Sequence, residues 1–107
     1  MKFVGVAACP AGLMHTFMAA KALKKAAKKG GHELLMETQS ASGIENQLSA
    51  NDIESADAVI LAIDTSIQGM ERFSNKPILK INTTEALANS KGIVQQLTKK
   101  GEEYGNN

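Results

Sequence analysis

With 107 residues, 43% of them apolar and 21% charged, the chain has the length and composition of one soluble globular domain with a sizeable core. A formal net charge of +1 leaves no overall field for nucleic acid or acidic lipid, and three Phe, one Tyr and no Trp are too few for a base-stacking platform. No apolar run approaches the roughly 18 to 20 residues of a membrane helix, and a single cysteine excludes an internal disulfide, a CxxC redox pair and a thiolate-rich metal site.

Direct membrane insertion, a metal and a cofactor are therefore not expected. A lone thiol, with no secretory pattern in residues 1–8, fits a reducing cytoplasm.

The elements follow in alternation. Residues 2–8 are a short β-rich apolar run, long enough for one buried strand, and Cys9-Pro10-Ala11-Gly12 reads as a turn. Over residues 12–29 Leu13, Phe17, Ala20, Leu23 and Ala27 recur at helical spacing and draw one apolar stripe. The lysines crowd toward the C-terminal half of that helix, where they suit the negative end of its dipole, and Gly30-Gly31 stops it.

Residues 32–38 predict a second strand, and the polar stretch 39–48 a functional loop or irregular edge. Residues 49–56 predict a short helix with Ser49 as N-cap and Asp52 three positions on, a variant of the capping box. The apolar run 58–63 is the clearest buried strand. Residues 64–74 read as a loop with room for a short helix, and Pro77 opens the last strand at 78–82. Residues 83–87 and 90–100 form a broken C-terminal helix with Thr83 and Ser90 as candidate N-caps, and 101–107 a frayed tail behind a single domain over 1–100.

Four strands alternating with helices predict an α/β fold: a four-stranded parallel sheet flanked by helices on both faces, doubly wound and Rossmann-like. Such sheets bind ligands beyond the carboxyl ends of their strands, where strand order reverses. Cys9 falls in that crevice if the first strand is central.

The chemistry concentrates in Cys9, Pro10, Ala11, Gly12, Leu13, Met14, His15 and Thr16. A thiol here is followed by a tight loop entering a helix. N–H groups at a helix start lack internal partners and face the positive end of the dipole, so together they hold an anion. The same field favours a thiolate, and a thiolate beside a phosphate cradle is an in-line nucleophile for phosphoryl groups. Gly12 lets the backbone approach the anion, and Pro10 stiffens the turn.

Thiol phosphatases separate the cysteine from an Arg by five residues, and Ser or Thr follows the Arg. Here His15 and Thr16 stand in that place. Without an arginine clamp attack by water suffers, and the loop is better suited to holding a phosphocysteine for a second acceptor. Thr16 is positioned to hydrogen-bond the sulfur, and Asp64, ending the third strand, is a nearby residue whose reading as a cap competes with a supporting role.

The stretch from Cys9 to Ala20 closely resembles the phosphorylation loop of fructose-type enzyme IIB domains of the bacterial phosphoenolpyruvate-dependent sugar phosphotransferase system. Glu37-Thr38-Gln39, Gly43-Ile44-Glu45-Asn46, Asp52-Ile53, Ala56-Asp57 and Glu71-Arg72-Phe73 match that family in order, and the resemblance spans residues 2–98. It implies a phosphotransferase in which Cys9 accepts a phosphoryl group from a phosphohistidine on enzyme IIA and passes it to a fructose-like sugar bound by membrane enzyme IIC. It also implies a monomer in the cytoplasm that meets the inner face of the membrane through enzyme IIC.

Ala11 and Ser40 depart from residues common in the family, which leaves the sugar open. Two alternatives to the relay are a low-molecular-weight-phosphatase-like hydrolase and a regulatory phosphocysteine module.

Overall fold

The computed structural model describes residues 1–9, 13–40 and 43–105, with the backbone alone at 13–15, 104 and 105. Its strands are β1 (Lys2–Ala8), β2 (Glu33–Ser40), β3 (Gly43–Glu45), β4 (Ala58–Ile63) and β5 (Ile78–Ile81). Its helices are α1 (Leu13–Lys29), α2 (Ala50–Ser55), α3 (Thr83–Ala88) and α4 (Ser90–Gly105), with a 3-10 turn over Met70–Phe73.

The sheet order is β3-β2-β1-β4-β5. β2, β1, β4 and β5 are parallel, and β3 runs antiparallel to β2. This corrects the expected four-stranded parallel sheet: the sheet is mixed and has five strands. The extra strand lies in the polar stretch expected to be a loop or irregular edge. β3 is three residues long and exposed throughout, so it carries no inward-outward alternation to read.

Alternation does sort the central strands onto two faces. Phe3 and Ala7 of β1, Leu34 and Met36 of β2, and Ala58, Ile60 and Ala62 of β4 meet α1, α3 and α4. Val4, Val6, Ala8, Val59, Leu61 and Ile63 meet Leu48, Ile53 of α2 and Phe73. Helices thus cover both faces, as expected of a doubly wound sheet. Phe3, Leu23, Leu97 and Phe73 are wholly buried, each contributing about 1.5–3 kcal/mol by removal from water.

The stripe of α1 is rotated from the expected one. Thr16, Ala19, Ala20, Leu23 and Ala27 are buried, whereas Phe17 is 39% exposed. Ser49 and Asp52 form the expected capping box of α2, each side chain bonded to the other's backbone N–H. The other two expected caps are displaced by one residue. Asn82, not Thr83, caps α3 in a box with Glu85, and the Asn89 side chain, not that of Ser90, accepts from the Gly92 N–H in the first turn of α4. α4 continues to Gly105, so the expected tail is helical from Gly101 to that point. Gly101 is buried, and a Cβ there would meet Met1, Asp57 and Phe3 at 3.1, 3.4 and 3.6 Å.

Gly5 lets the sheet neighbours close over the middle of β1. A Cβ on it would lie 2.5 Å from Ile60 Cγ2, 2.6 Å from the Ile60 carbonyl oxygen and 2.7 Å from Met36 Sδ. The carbonyl belongs to the β4 ladder and cannot yield. Gly5→Ala is expected to destabilise the fold by about 1–3 kcal/mol, read as a lower urea midpoint with an unchanged slope.

Candidate active site

Ala8, the last residue of β1, stands opposite Gln39 of β2 and Ile63 of β4. Cys9 follows, half-buried. β2 and β3 lie to one side of β1, β4 and β5 to the other, so Cys9 sits where strand order reverses. α1 begins at Leu13 and opens its positive end near the same edge of the sheet. Pro10, Ala11 and Gly12 lie outside the described residues, as do the side chains of Leu13, Met14 and His15. Thr16 is described and fully buried.

A cavity of about 250 Å³ opens at Cys9. Gln39, Ser40, Gly43 and Ile44, from the β2–β3 pair, make one wall, and Thr65, Ser66 and Gln68, from the segment leaving β4, make the other. Set against a water's share of about 30 Å³ in the liquid, this is room for a phosphoryl group with solvent around it. The lysines of α1 stand elsewhere: Lys21, Lys24, Lys25 and Lys28 line an open groove of about 590 Å³ that the helix shares with β2.

Asp64 is adjacent to Cys9 through the backbone, its N–H donating to the Ala8 carbonyl at 2.9 Å. Both of its carboxylate oxygens accept from Thr83, one from the N–H at 3.0 Å and the other from the hydroxyl. That satisfies a free donor at the start of α3, which is the capping side of the two readings.

The most elaborate polar cluster near Cys9 was not among the residues expected to carry the site. Glu37 has no exposed surface. Its Oε1 accepts from Arg72 Nη1 at 2.9 Å and from the Leu48 N–H at 3.0 Å. Its Oε2 accepts from Arg72 Nη2 at 3.0 Å and from Gln39 Nε2 at 2.8 Å. Arg72 Nε donates to the Gly69 carbonyl at 2.7 Å, and the guanidinium lies 4.9 Å over the Phe73 ring. Gly69 has φ +76°, a left-handed conformation in which a Cβ would strike Arg72 Nε at 2.5 Å.

Burial pushes the Glu37 carboxyl up, but the hydrogen bonds from Arg72, Gln39 and Leu48, with the Arg72 charge, outweigh it and hold the group below its ordinary value. The Arg72 guanidinium is held above its own by Glu37. The signal in the sequence was slight. Strand alternation puts Glu37 on the same inward face as Leu35, and a carboxylate there needs a partner, for which the chain offers one bidentate cation, Arg72, beside eleven lysines.

Thr38 turns to the opposite face, where its hydroxyl is buried with no hydrogen-bond partner among the described residues. An unpaired buried hydroxyl carries its full desolvation cost, so the near-isosteric Thr38→Val should stabilise the fold by about 1 kcal/mol, read as a raised thermal midpoint.

A half-buried thiol at the switch point of a doubly wound sheet, before a helix start, sets a nucleophilic atom beside an edge that attracts anions. Known proteins match this chain along nearly all of it. The family described as PTS system, Lactose/Cellobiose specific IIB subunit matches residues 4–96. The chain belongs to the enzyme IIB family of the sugar phosphotransferase system.

Among its relatives is the PTS system fructose-like EIIB component 2 of Escherichia coli strain K12, 45% identical over 90% of this chain and 91% of that protein. A domain of the fructose-specific IIABC component of Borrelia burgdorferi superposes with a TM-score of 0.88 at 40% identity, covering 92% of this chain and 94% of that one. The solution structure of an enzyme IIB subunit of the phosphotransferase system of Escherichia coli K12 gives 0.86 at 40% identity, covering 92% and 91%. Enzyme IIB components are phosphotransferases that relay a phosphoryl group to a sugar during its uptake, and that is the activity of this family member. Among the described residues, no helix is long and apolar enough to cross a membrane.

Proposed function

We propose that Cys9 is the phosphoryl carrier, that its donor is a phosphohistidine on enzyme IIA, and that its acceptor is a fructose-like sugar held by membrane enzyme IIC. The observation that carries this reading is the position of Cys9: half-buried at the end of the central strand, in a cavity on the edge of the sheet where α1 begins.

In the first step the Cys9 sulfur attacks phosphorus. The P–N bond breaks, and its electron pair stays on the imidazole nitrogen. In the second step a sugar hydroxyl oxygen attacks the same phosphorus. The P–S bond breaks, sulfur leaves as thiolate, and the hydroxyl proton passes to a base or to solvent. The loop from Pro10 to Thr16 holds the phosphoryl oxygens in this account.

Fructose-like specificity rests on the names of the relatives, since the matching family's own description reads lactose and cellobiose. The chain works as a monomer at the cytoplasmic face, brought to the membrane through enzyme IIC.

The hydrolase reading is disfavoured by the fate of the arginine. The chain has one, and both of its terminal nitrogens are engaged by Glu37. The test is phosphoenolpyruvate-dependent sugar phosphorylation, reconstituted with enzyme IIA and membranes carrying enzyme IIC. Sugar phosphate formed only when this chain is added supports the relay. Phosphorylation of the chain without sugar phosphate, across fructose-like sugars, lactose and cellobiose, would turn the reading to the regulatory one.

A further inference from the structure

The two walls of the Cys9 cavity are tied together by Gln39. Gln39 comes from the β2 wall, and its side-chain amide reaches the backbone of Gln68 on the other. Gln39 Oε1 accepts from the Gln68 N–H at 2.9 Å, and Gln39 Nε2 donates to the Gln68 carbonyl at 3.0 Å. That is the reciprocal pattern of two paired strands, made by a side chain.

The amide is not free to turn over. Its Nε2 also donates to Glu37 Oε2, a charged acceptor that requires the nitrogen on that side. Glu37 is in turn fixed by Arg72 and by the Leu48 N–H. Arg72 returns to the same segment, donating to the carbonyls of Gly69 at 2.7 Å and Gln68 at 3.3 Å. The segment carrying Thr65 and Ser66 is thus tied at Gln68 to a buried ion pair through Gln39.

We propose that Gln39 is a positioning residue for phosphoryl transfer. Its bridge to Gln68 sets the width of the Cys9 cavity, and with it where Thr65 and Ser66 stand around a phosphoryl group on the sulfur. This rests on the reading that Cys9 is the carrier. Phosphoryl transfer depends on in-line alignment and on donors already aimed at the equatorial oxygens, so a loosened wall slows the step while donor docking is kept.

The test uses Gln39→Glu and Gln39→Met in the full chain, with transfer from phosphorylated enzyme IIA followed by rapid quench from mildly acidic to neutral pH. At neutral pH the carboxylate introduced by Gln39→Glu faces Glu37 and the Gln68 carbonyl, two groups that repel it. The expected kcat is on the order of 10- to 100-fold below wild type with little change in KM for the donor. That environment also raises the pKa of the introduced carboxyl. Protonated, it again offers a donor and an acceptor, so the ratio of variant to wild-type rate should climb as pH falls. Gln39→Met makes no bridge and should stay slow at every pH.

Rates like wild type in both variants would overturn the proposal, as would a Gln39→Glu deficit that does not change with pH. A lowered melting temperature with normal transfer by the folded protein would assign Gln39 to stability alone, also against the proposal. Failure of the wild type itself to take up a phosphoryl group is a separate result, and it would overturn the carrier reading instead.

Discussion

Cys9→Ser is expected to abolish phosphoryl transfer to sugar, by on the order of 1,000-fold or more, while the protein melts as wild type does. The side chains are nearly isosteric and the position is half-buried, so packing changes little. The chemistry changes completely. A hydroxyl is a far weaker acid than a thiol and a poorer nucleophile at neutral pH. An ester formed on it would also be a poor donor, because an alkoxide leaves phosphorus less readily than a thiolate. Both half-reactions therefore fail, and neither raised donor nor raised sugar should rescue them. Rate and melting temperature together check the result, since a folded but inactive variant assigns the loss to the sulfur.

The second large effect is on stability. Arg72→Leu should destabilise the fold by about 3–5 kcal/mol at neutral pH, because it leaves Glu37 charged and buried with two neutral donors in place of an arginine. The pH dependence should flatten as well. In the wild type the Glu37 carboxyl is held below its ordinary value of 4.5, so its contribution is present above that value and lost as pH falls through the folded-state value. Without Arg72 the upward push of burial is opposed only by the Gln39 and Leu48 hydrogen bonds, so the carboxyl is expected to rise from its wild-type position and the variant to lose the stability that ionised Glu37 contributes at higher pH. Urea midpoints of the two proteins across acidic pH should converge on acidification. The double variant Glu37→Leu with Arg72→Leu should lose much less than Arg72→Leu alone, since no buried charge is left unpaired.

What could be read ahead of the structure followed from how much each element depends on its own residues. β1 and β4 are apolar runs buried on both faces, so local pattern and final burial agree, whereas in α1 the lysine-rich end is as read but the buried stripe is turned away from Phe17. The capping box at Ser49 and Asp52 is a local reciprocal bond and was equally readable. Asn82 and Thr83 stand side by side and either could accept at the start of α3; Asp64 takes the Thr83 N–H and hydroxyl from across the sheet edge, leaving Asn82 to cap.

β3 was missed because three exposed residues have no pattern apart from the neighbour they pair with. The site divides in the same way. Cys9 and the helix that follows it are contiguous, and their chemistry is visible as a motif. The opposite wall joins Gln39 to Gln68 and Glu37 to Arg72, residues far apart in the chain, and its role exists only once β2 and the segment after β4 are brought together. The order of these motifs along the chain resembled the enzyme IIB family, but the resemblance did not say that they touch.

The most direct test is the intact-protein mass of wild type and Cys9→Ser after incubation with phosphoenolpyruvate and the phosphohistidine relay ending in enzyme IIA, with no sugar present. One added phosphoryl group on wild type and none on Cys9→Ser is the result the account predicts, with loss of that group when sugar and enzyme IIC membranes are added. An unmodified wild type, or an adduct of equal yield on Cys9→Ser, would contradict it.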